Sequence, residues 1–215
     1  MLRLRAWIKS QIPRRIAVNR LLPVLLLSSA IAVPALAALK SGEKAPDFST
    51  KASLDGKAFD FSLKDALKKG PVVVYFYPSA YTGGCNIEAH TFAVNKDKFD
   101  AVGATIIGVS HDSIKRLNDF SADPEYCAGK FPVASDPDGK IAKSYDLKVM
   151  EGKPGFKDTR GVEIDHAFTE RTTFVIAPDS KIVATLSSAD DKISPEDHVT
   201  KSLAAVTEMK NAKAM

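Results

Sequence analysis

The sequence predicts an α/β fold, a layered sandwich with helices on both faces of a central mixed β-sheet. Three observations predict it. Two continuous β-prone runs, Val72-Val-Val-Tyr-Phe-Tyr77 and Ala104-Thr-Ile-Ile-Gly-Val-Ser110, read as strands buried on both faces. Strand and helix patterns alternate around them. The chain then closes with two more β-prone runs and a helix, the pattern of a hairpin followed by a covering helix.

Each element follows from its residues. Residues 38–44 are a polar lead-in, and residues 57–61 alternate as a short strand does. Residues 62–69 form a brief helix, stopped by Gly70-Pro71. The first buried strand follows, then a loop over residues 78–84 and a helix from Cys85 to about Lys98. After the second buried strand, Asp112 or Ser113 caps the next helix through a side-chain oxygen. Residues 131–134 are a third, short strand. Asp136-Pro-Asp-Gly139 is a turn, with a short helix near residues 141–145. Residues 148–166 are polar and read as a solvated loop. Residues 172–177 and 181–186 flank Pro178-Asp179-Ser180 as a hairpin. Ser194-Pro195-Glu196-Asp197 starts the last helix: a cap, a proline at the first turn, and acids facing the positive end of the dipole. Val199, Leu203, Val206 and Met209 follow at helical spacing.

The first 37 residues read as an address. Arg3, Arg5, Lys9, Arg14, Arg15 and Arg20 precede the apolar run LLPVLLLSSAIAVPALA, which ends in Ala35-Leu36-Ala37, an A-x-A cleavage pattern. A basic region, a short apolar run and a small-residue site make a secretory signal peptide. An uncleaved anchor is the competing reading, but the run is short for a span and contains Pro23 and Pro34. Residues flanking Arg14-Arg15 match twin-arginine export poorly, and the compact Leu-rich core favours bacterial secretion over an organellar transit peptide. The expected organisation is therefore a leader, 1–37, and one domain, 38–215, in a bacterial periplasm. Loss of the leader takes six of the 30 basic residues and none of the 26 acids, which turns the formal charge from +4 to −2. The basic balance of the whole chain thus argues for no nucleic-acid partner. It also leaves no stable membrane association after cleavage.

Two cysteines remain, Cys85 and Cys127. In an oxidising compartment the plain reading of a pair is a structural disulfide. The setting of Cys85 argues for more. A buried strand runs into a loop, and the loop into a helix that begins at the cysteine, where unpaired N–H groups and the helix dipole favour thiolate over thiol. Thr82, three residues earlier, can turn its hydroxyl toward the sulfur. Gly83 and Gly84 leave the approach open.

The string Pro78-x3-Thr82-x2-Cys85 resembles the active-site signature of the peroxiredoxins, and YFYPSAYTGGCNIEAHTF is similar to their bacterioferritin-comigratory, or PrxQ-type, branch. Further similar strings are Gly42-Glu-Lys-Ala-Pro-Asp-Phe48, Gly108-Val-Ser-x-Asp-Ser113, Ser135-Asp-Pro-Asp-Gly139 and Arg171-Thr-Thr-Phe-Val-Ile176. The resemblance spans about residues 41–212 and implies a thioredoxin-like three-layer sandwich. It implies a thiol peroxidase that reduces hydrogen peroxide and small organic hydroperoxides through a cysteine sulfenic acid, in antioxidant defence. Cys85 would be the peroxidatic cysteine. Thr82 would hydrogen-bond the sulfur and the peroxide, Arg171 would stabilise the thiolate and the leaving oxygen, and Pro78 would shape and shield the loop. Glu88 would orient Arg171 or Thr82, or else sit solvated in the first helical turn.

The pattern also breaks. Many members of the branch carry a resolving cysteine five residues after the first, and that position holds His90. It lies about 140° around the helix from Cys85, so a packed or solvated histidine is expected rather than a base. Cys127, in a loop-like segment expected to be mobile, is then the candidate resolving cysteine. The alternatives are a one-cysteine cycle completed by an external thiol, or a bystander. Gly83 stands where the branch usually has proline, which loosens the loop. Glu163, Asp165 and His166 could bind metal, but a solvated loop is the preferred reading, and no metal or cofactor is expected. A thioredoxin-like disulfide exchanger, or a binding module without peroxidase activity, is the rival class. The former wants Cys-x-x-Cys, and position 88 is Glu88. The expected partners are a peroxide and a thiol reductant, thioredoxin-like or of low molecular weight, with the protein a monomer or dimer.

Overall fold

The computed structural model describes residues 38–214. The expected leader, residues 1–37, lies outside the described residues. The strands are β1 (Ser49–Leu54), β2 (Lys57–Ser62), β3 (Val72–Phe76), β4 (Thr105–Ser110), β5 (Val133–Ser135), β6 (Val149–Met150), β7 (Phe168–Thr169), β8 (Thr172–Ile176) and β9 (Ile182–Ser187). The helices are α1 (Leu63–Leu67), α2 (Gly83–Ala101), α3 (Ile114–Ala122), α4 (Lys140–Ser144), α5 (Ser188–Asp191) and α6 (Pro195–Ala214). Among the described residues, seven strands form one mixed sheet in the order β2-β1-β5-β4-β3-β8-β9. β3 runs parallel to β4 and β4 to β5, while β8 lies antiparallel to both β3 and β9.

The layering follows from strand periodicity. Val72, Val74 and Phe76 point to one face and pack with Leu63 and Leu67 of α1 and with Ile141 and Ala142 of α4. Val73, Tyr75 and the following Tyr77 point to the other face. There they meet Phe92 of α2, Phe120 of α3, and Val199 and Val206 of α6. The fully buried valines and phenylalanines among them each contribute about 1.5–3 kcal/mol. The expected three-layer sandwich is found, with β3 and β4 at its centre. Gly108 on β4 is bare because a Cβ would lie 2.6 Å from Cζ of Tyr75. That ring stacks on Phe92 with centroids 4.6 Å apart.

The structure corrects the reading in several places. β1 was not expected. It pairs with β2 through a two-residue turn at Asp55-Gly56, both left-handed at φ 48° and 74°, the turn chemistry of a tight hairpin. α2 begins two residues early, with Thr82 as its N-cap, so Cys85 is its third residue. Ser113, not Asp112, caps α3, accepting from Arg116 N at 3.3 Å. Ser194 and Asp197 cap α6 reciprocally: Ser194 Oγ accepts from Asp197 N at 3.2 Å, and Asp197 Oδ2 from Ser194 N at 3.0 Å. The polar segment is largely exposed, as expected of a solvated loop, but it is tied down. β6 and β7 pair at its two ends, and Asp158 and Ile164 within it are buried.

Candidate active site

The site forms where β3 ends between its neighbours. The backbone passes from Phe76 through Pro78 into a short loop and enters α2 at Gly83. The first i→i−4 bond of α2 runs from Asn86 N to Thr82 O, 2.8 Å. The N–H groups of Gly83, Gly84 and Cys85 precede it and point out of the helix end, where the dipole is positive. Register brings in the cation. Thr172 of β8 pairs with Phe76 of β3, so Arg171, just before β8, stands beside the loop. Its Nη2 donates to Cys85 Sγ at 3.2 Å, and its Nη1 donates to Glu88 Oε2. Glu88 is three residues after Cys85, so helical periodicity aims both at one guanidinium.

Burial makes this trio electrostatically tight. Cys85 is 2% exposed and Glu88 fully buried. Burial pushes the Glu88 carboxyl up to about 7, with Arg171 acting in the opposite direction. Burial alone would lower the Arg171 value, but the charges of Glu88 and Cys85 hold it above the ordinary one. Glu88 Oε1 has no hydrogen-bond partner among the described residues. Of the two roles expected for Glu88, the geometry supports orientation of Arg171, not a solvated first-turn acid.

Gly84 is part of the same geometry. A Cβ there would lie 3.2 Å from Arg171 Nη2 and 3.4 Å from Pro195 Cγ of α6. The bare glycine therefore leaves the room the guanidinium occupies.

These features combine a buried cysteine in the first turn of a helix with an arginine donating to its sulfur. The sequence from residue 41 to 185 matches the model of the AhpC/TSA family. A putative peroxiredoxin of Mycobacterium tuberculosis is 30% identical over 168 residues, covering 78% of this chain and 96% of the other. The chain belongs to the AhpC/TSA family. It is a peroxiredoxin, a thiol peroxidase. Among solved structures, peroxidoxin BcpB of M. tuberculosis superposes with a TM-score of 0.65 at 30% identity, over 79% of this chain and 97% of the other. The bacterioferritin comigratory protein of Xanthomonas campestris, studied for alkyl peroxide reduction, gives a TM-score of 0.57 at 29% identity, over 74% and 91%. The thioredoxin-like fold and the PrxQ-type likeness read from the sequence are thereby borne out.

Thr82 differs from its expected contact. Its Oγ1 donates to the carbonyl of Ser79 at 2.8 Å rather than to the sulfur. The hydroxyl oxygen keeps lone pairs with which to accept. Pro78, half-buried, starts the loop.

The rest of the peroxiredoxin loop is anchored by residues that the sequence reading did not single out for this role. Asp112, fully buried, accepts from Ala80 N at 2.7 Å and from the hydroxyls of Ser79 at 3.0 Å and Ser110 at 2.7 Å. It also pairs with His166 Nε2 at 2.9 Å. Burial alone would lower the His166 value, but the Asp112 hydrogen bond and charge reverse this and raise it. His166, read as a loop residue, is thus one of the loop's anchors. The similarity string containing Asp112 was the available signal, but it was spent on a helix cap.

Cys127 is fully buried and, like Cys85, forms no disulfide among the described residues. Its segment is a tied turn, not a mobile loop: Ala128 N donates to Asp123 O at 2.9 Å and Gly129 N to Ser121 O at 2.8 Å. Burial, with the nearby charge of Asp123, pushes its thiol up. Both cysteines belong to the same core cluster on one face of the sheet. His90 is exposed, and its Nδ1 pairs with the carbonyl of Glu125 at 2.9 Å, next to that turn. Glu163 accepts from Gly155 N at 2.9 Å. Among the described residues, no group of three or more His, Cys, Asp or Glu side chains is arranged to hold a metal.

Proposed function

We propose that this peroxiredoxin works in an exported compartment through a two-cysteine cycle, Cys85 peroxidatic and Cys127 resolving. The observation that carries the reading is the 3.2 Å contact from Arg171 Nη2 to Cys85 Sγ. A cation donating to the sulfur stabilises charge that develops on an oxygen leaving from that sulfur. The thiolate attacks one peroxide oxygen and the O–O bond breaks. The other oxygen departs with a proton as water or an alcohol, leaving Cys85 as sulfenic acid. Thr82 Oγ1, its proton committed to Ser79, accepts a hydrogen bond from the incoming hydroperoxide. Pro78 closes the loop over the sulfur.

The Cys127 thiol then condenses with the sulfenic acid, forming an S–S bond and releasing water. Its burial means that its turn must open first, since a disulfide requires Cα atoms within about 7 Å. A thioredoxin-like protein or a small thiol returns two electrons and two protons and is itself oxidised to a disulfide. The alkyl peroxide reduction studied in the Xanthomonas relative supports small organic hydroperoxides as substrates beside hydrogen peroxide. The basic, apolar and A-x-A features of residues 1–37 support export to a periplasm.

The test is the intact mass of reduced protein after about one equivalent of hydrogen peroxide, recorded without reductant. Loss of two hydrogens, mapped to Cys85–Cys127 and abolished by Cys85→Ser, is the expected result. Gain of one or two oxygens on Cys85 would replace the internal thiol with an external one. An unchanged mass over minutes would remove Cys85 as the nucleophile.

A further inference from the structure

The segment between β6 and β7 lies against the peroxidatic loop, and its contacts converge on Tyr81, the residue before Thr82. Both Thr159 N and Thr159 Oγ1 donate to the Tyr81 carbonyl, each at 2.9 Å. The Arg160 guanidinium carbon lies 3.2 Å from the centre of the Tyr81 ring. Asp158 organises the group: its Oδ2 accepts from Arg160 Nη2 at 3.0 Å and from Arg116 Nη2 at 2.8 Å. The same Arg116 nitrogen reaches the Ala80 carbonyl at 2.9 Å. Tyr81 is held in the left-handed region, at φ 61°. A bulky side chain is an outlier there and persists only where its surroundings over-determine it. That backbone turn directs the chain into Thr82 and Cys85.

Tyr81 also faces the resolving side. Its ring meets Tyr126 edge-on at 5.6 Å and Phe120 at 5.0 Å. Tyr126 is the immediate neighbour of Cys127. One side chain therefore links the loop that aims the peroxidatic sulfur to the turn that must open to release the resolving one.

We propose that Asp158, Thr159 and Arg160 form a clasp on Tyr81 that positions Cys85 for peroxide attack and, through Tyr126, restrains the opening that Cys85–Cys127 disulfide formation requires. The second half rests on the proposed role of Cys127; the first half does not. Thr159 and Arg160 are positioning residues, since neither touches the reacting sulfur. The clasp gives the two steps opposite dependences on one element. Loosening it slows sulfenic acid formation and speeds disulfide formation.

The experiment uses the full-length chain and two rates. On a Cys127→Ser background, the loss of Cys85 thiol with hydrogen peroxide is read by rapid quenching, alkylation and intact mass. With both cysteines present, the decay of the one-oxygen adduct of Cys85 into the two-hydrogen mass loss reads the second step. Thr159→Val and Arg160→Ala are expected to lower the first rate and raise the second, each by about fivefold, the scale of one lost hydrogen bond. Thr159→Ser restores the hydroxyl and is expected to return both rates. Arg160→Lys, which keeps the charge but loses the planar stack, serves where Arg160→Ala does not fold by circular dichroism, with the same signs expected. Both rates falling together, or neither moving, overturns the clasp. If the unaltered chain forms no disulfide, the role of Cys127 fails by itself. The first rate then decides: a drop restored by Thr159→Ser supports the positioning, and no drop overturns it.

Discussion

Gly84→Ala sets the geometry of the arginine against the energetics of the helix, with opposite expected signs. The added Cβ would stand 3.2 Å from Arg171 Nη2, the atom that donates to Cys85 Sγ. That contact is tight, and Pro195 Cγ on the other side, at 3.4 Å, limits retreat of the helix end. The guanidinium must therefore give by a few tenths of an ångström. A hydrogen bond to a charged group is worth about 1.5–3 kcal/mol, so partial loss costs ~1 kcal/mol and slows attack on peroxide about fivefold. Alanine in a helix interior is better than glycine by about 0.5–1 kcal/mol, with the lower end expected in the first turn. The assay pairs the rate of Cys85 thiol loss in excess hydrogen peroxide with urea unfolding of the same sample. The expected variant is slower and no less stable. An unchanged rate would refute control of the reaction by the Nη2 contact, and a loss of both would indicate overpacking of the helix start.

The pH dependence of stability has two buried contributors with opposite slopes. Burial lifts Glu88 to about 7, above its unfolded value of 4.5. The folded chain thus keeps a proton that the unfolded chain releases, and this stability is full below 4.5 and lost as pH rises through 7. His198 is lowered from 6.5 to about 4 by burial and then by the charge of Arg171. Its stability is full above 6.5 and lost as pH falls through 4. Between pH 4.5 and 6.5 the two slopes, each about 1.4 kcal/mol per pH unit, oppose one another. Glu88→Gln is expected to make stability rise more steeply with pH across that window, and His198→Gln to make it fall, in urea titrations at several pH values. Variants with the parental slope would refute the assigned shifts. Tyr75→Phe removes a buried hydroxyl with no partner among the described residues, so unfolding should become harder by about 1 kcal/mol. A destabilised variant would mean that the phenol is satisfied after all.

Elements whose signal is local were legible in the sequence. The valine-rich run of β3 and the caps of α6 announce themselves in consecutive residues. So does the cysteine after a Thr-Gly-Gly loop. β1 was missed because STKASL has little hydrophobic alternation, and its partner rather than its composition makes it a strand. The Asp55-Gly56 turn was the readable clue. The Thr82 contact was misjudged because a hydroxyl bonds to whichever acceptor the loop presents, and here that is the Ser79 carbonyl.

The sequence by itself determined the fold class, through periodicity, while the assignment of Cys85 and Arg171 to the reaction came from resemblance to the family's motifs. Only the tertiary structure decided which groups share that cation and which hold the loop. Arg171 reaches Cys85 through the register of β8 on β3. Burial then turns Glu88 from a helix-start acid into the arginine's partner. The polar segment around Thr159 is largely exposed, as its composition implies, but Asp158 and Arg160 within it make contacts with residues distant in sequence. Arg116 of α3 and Tyr81 of the loop supply those contacts. Such pairings depend on which chain segments the packed sheet brings together, and no local pattern encodes them.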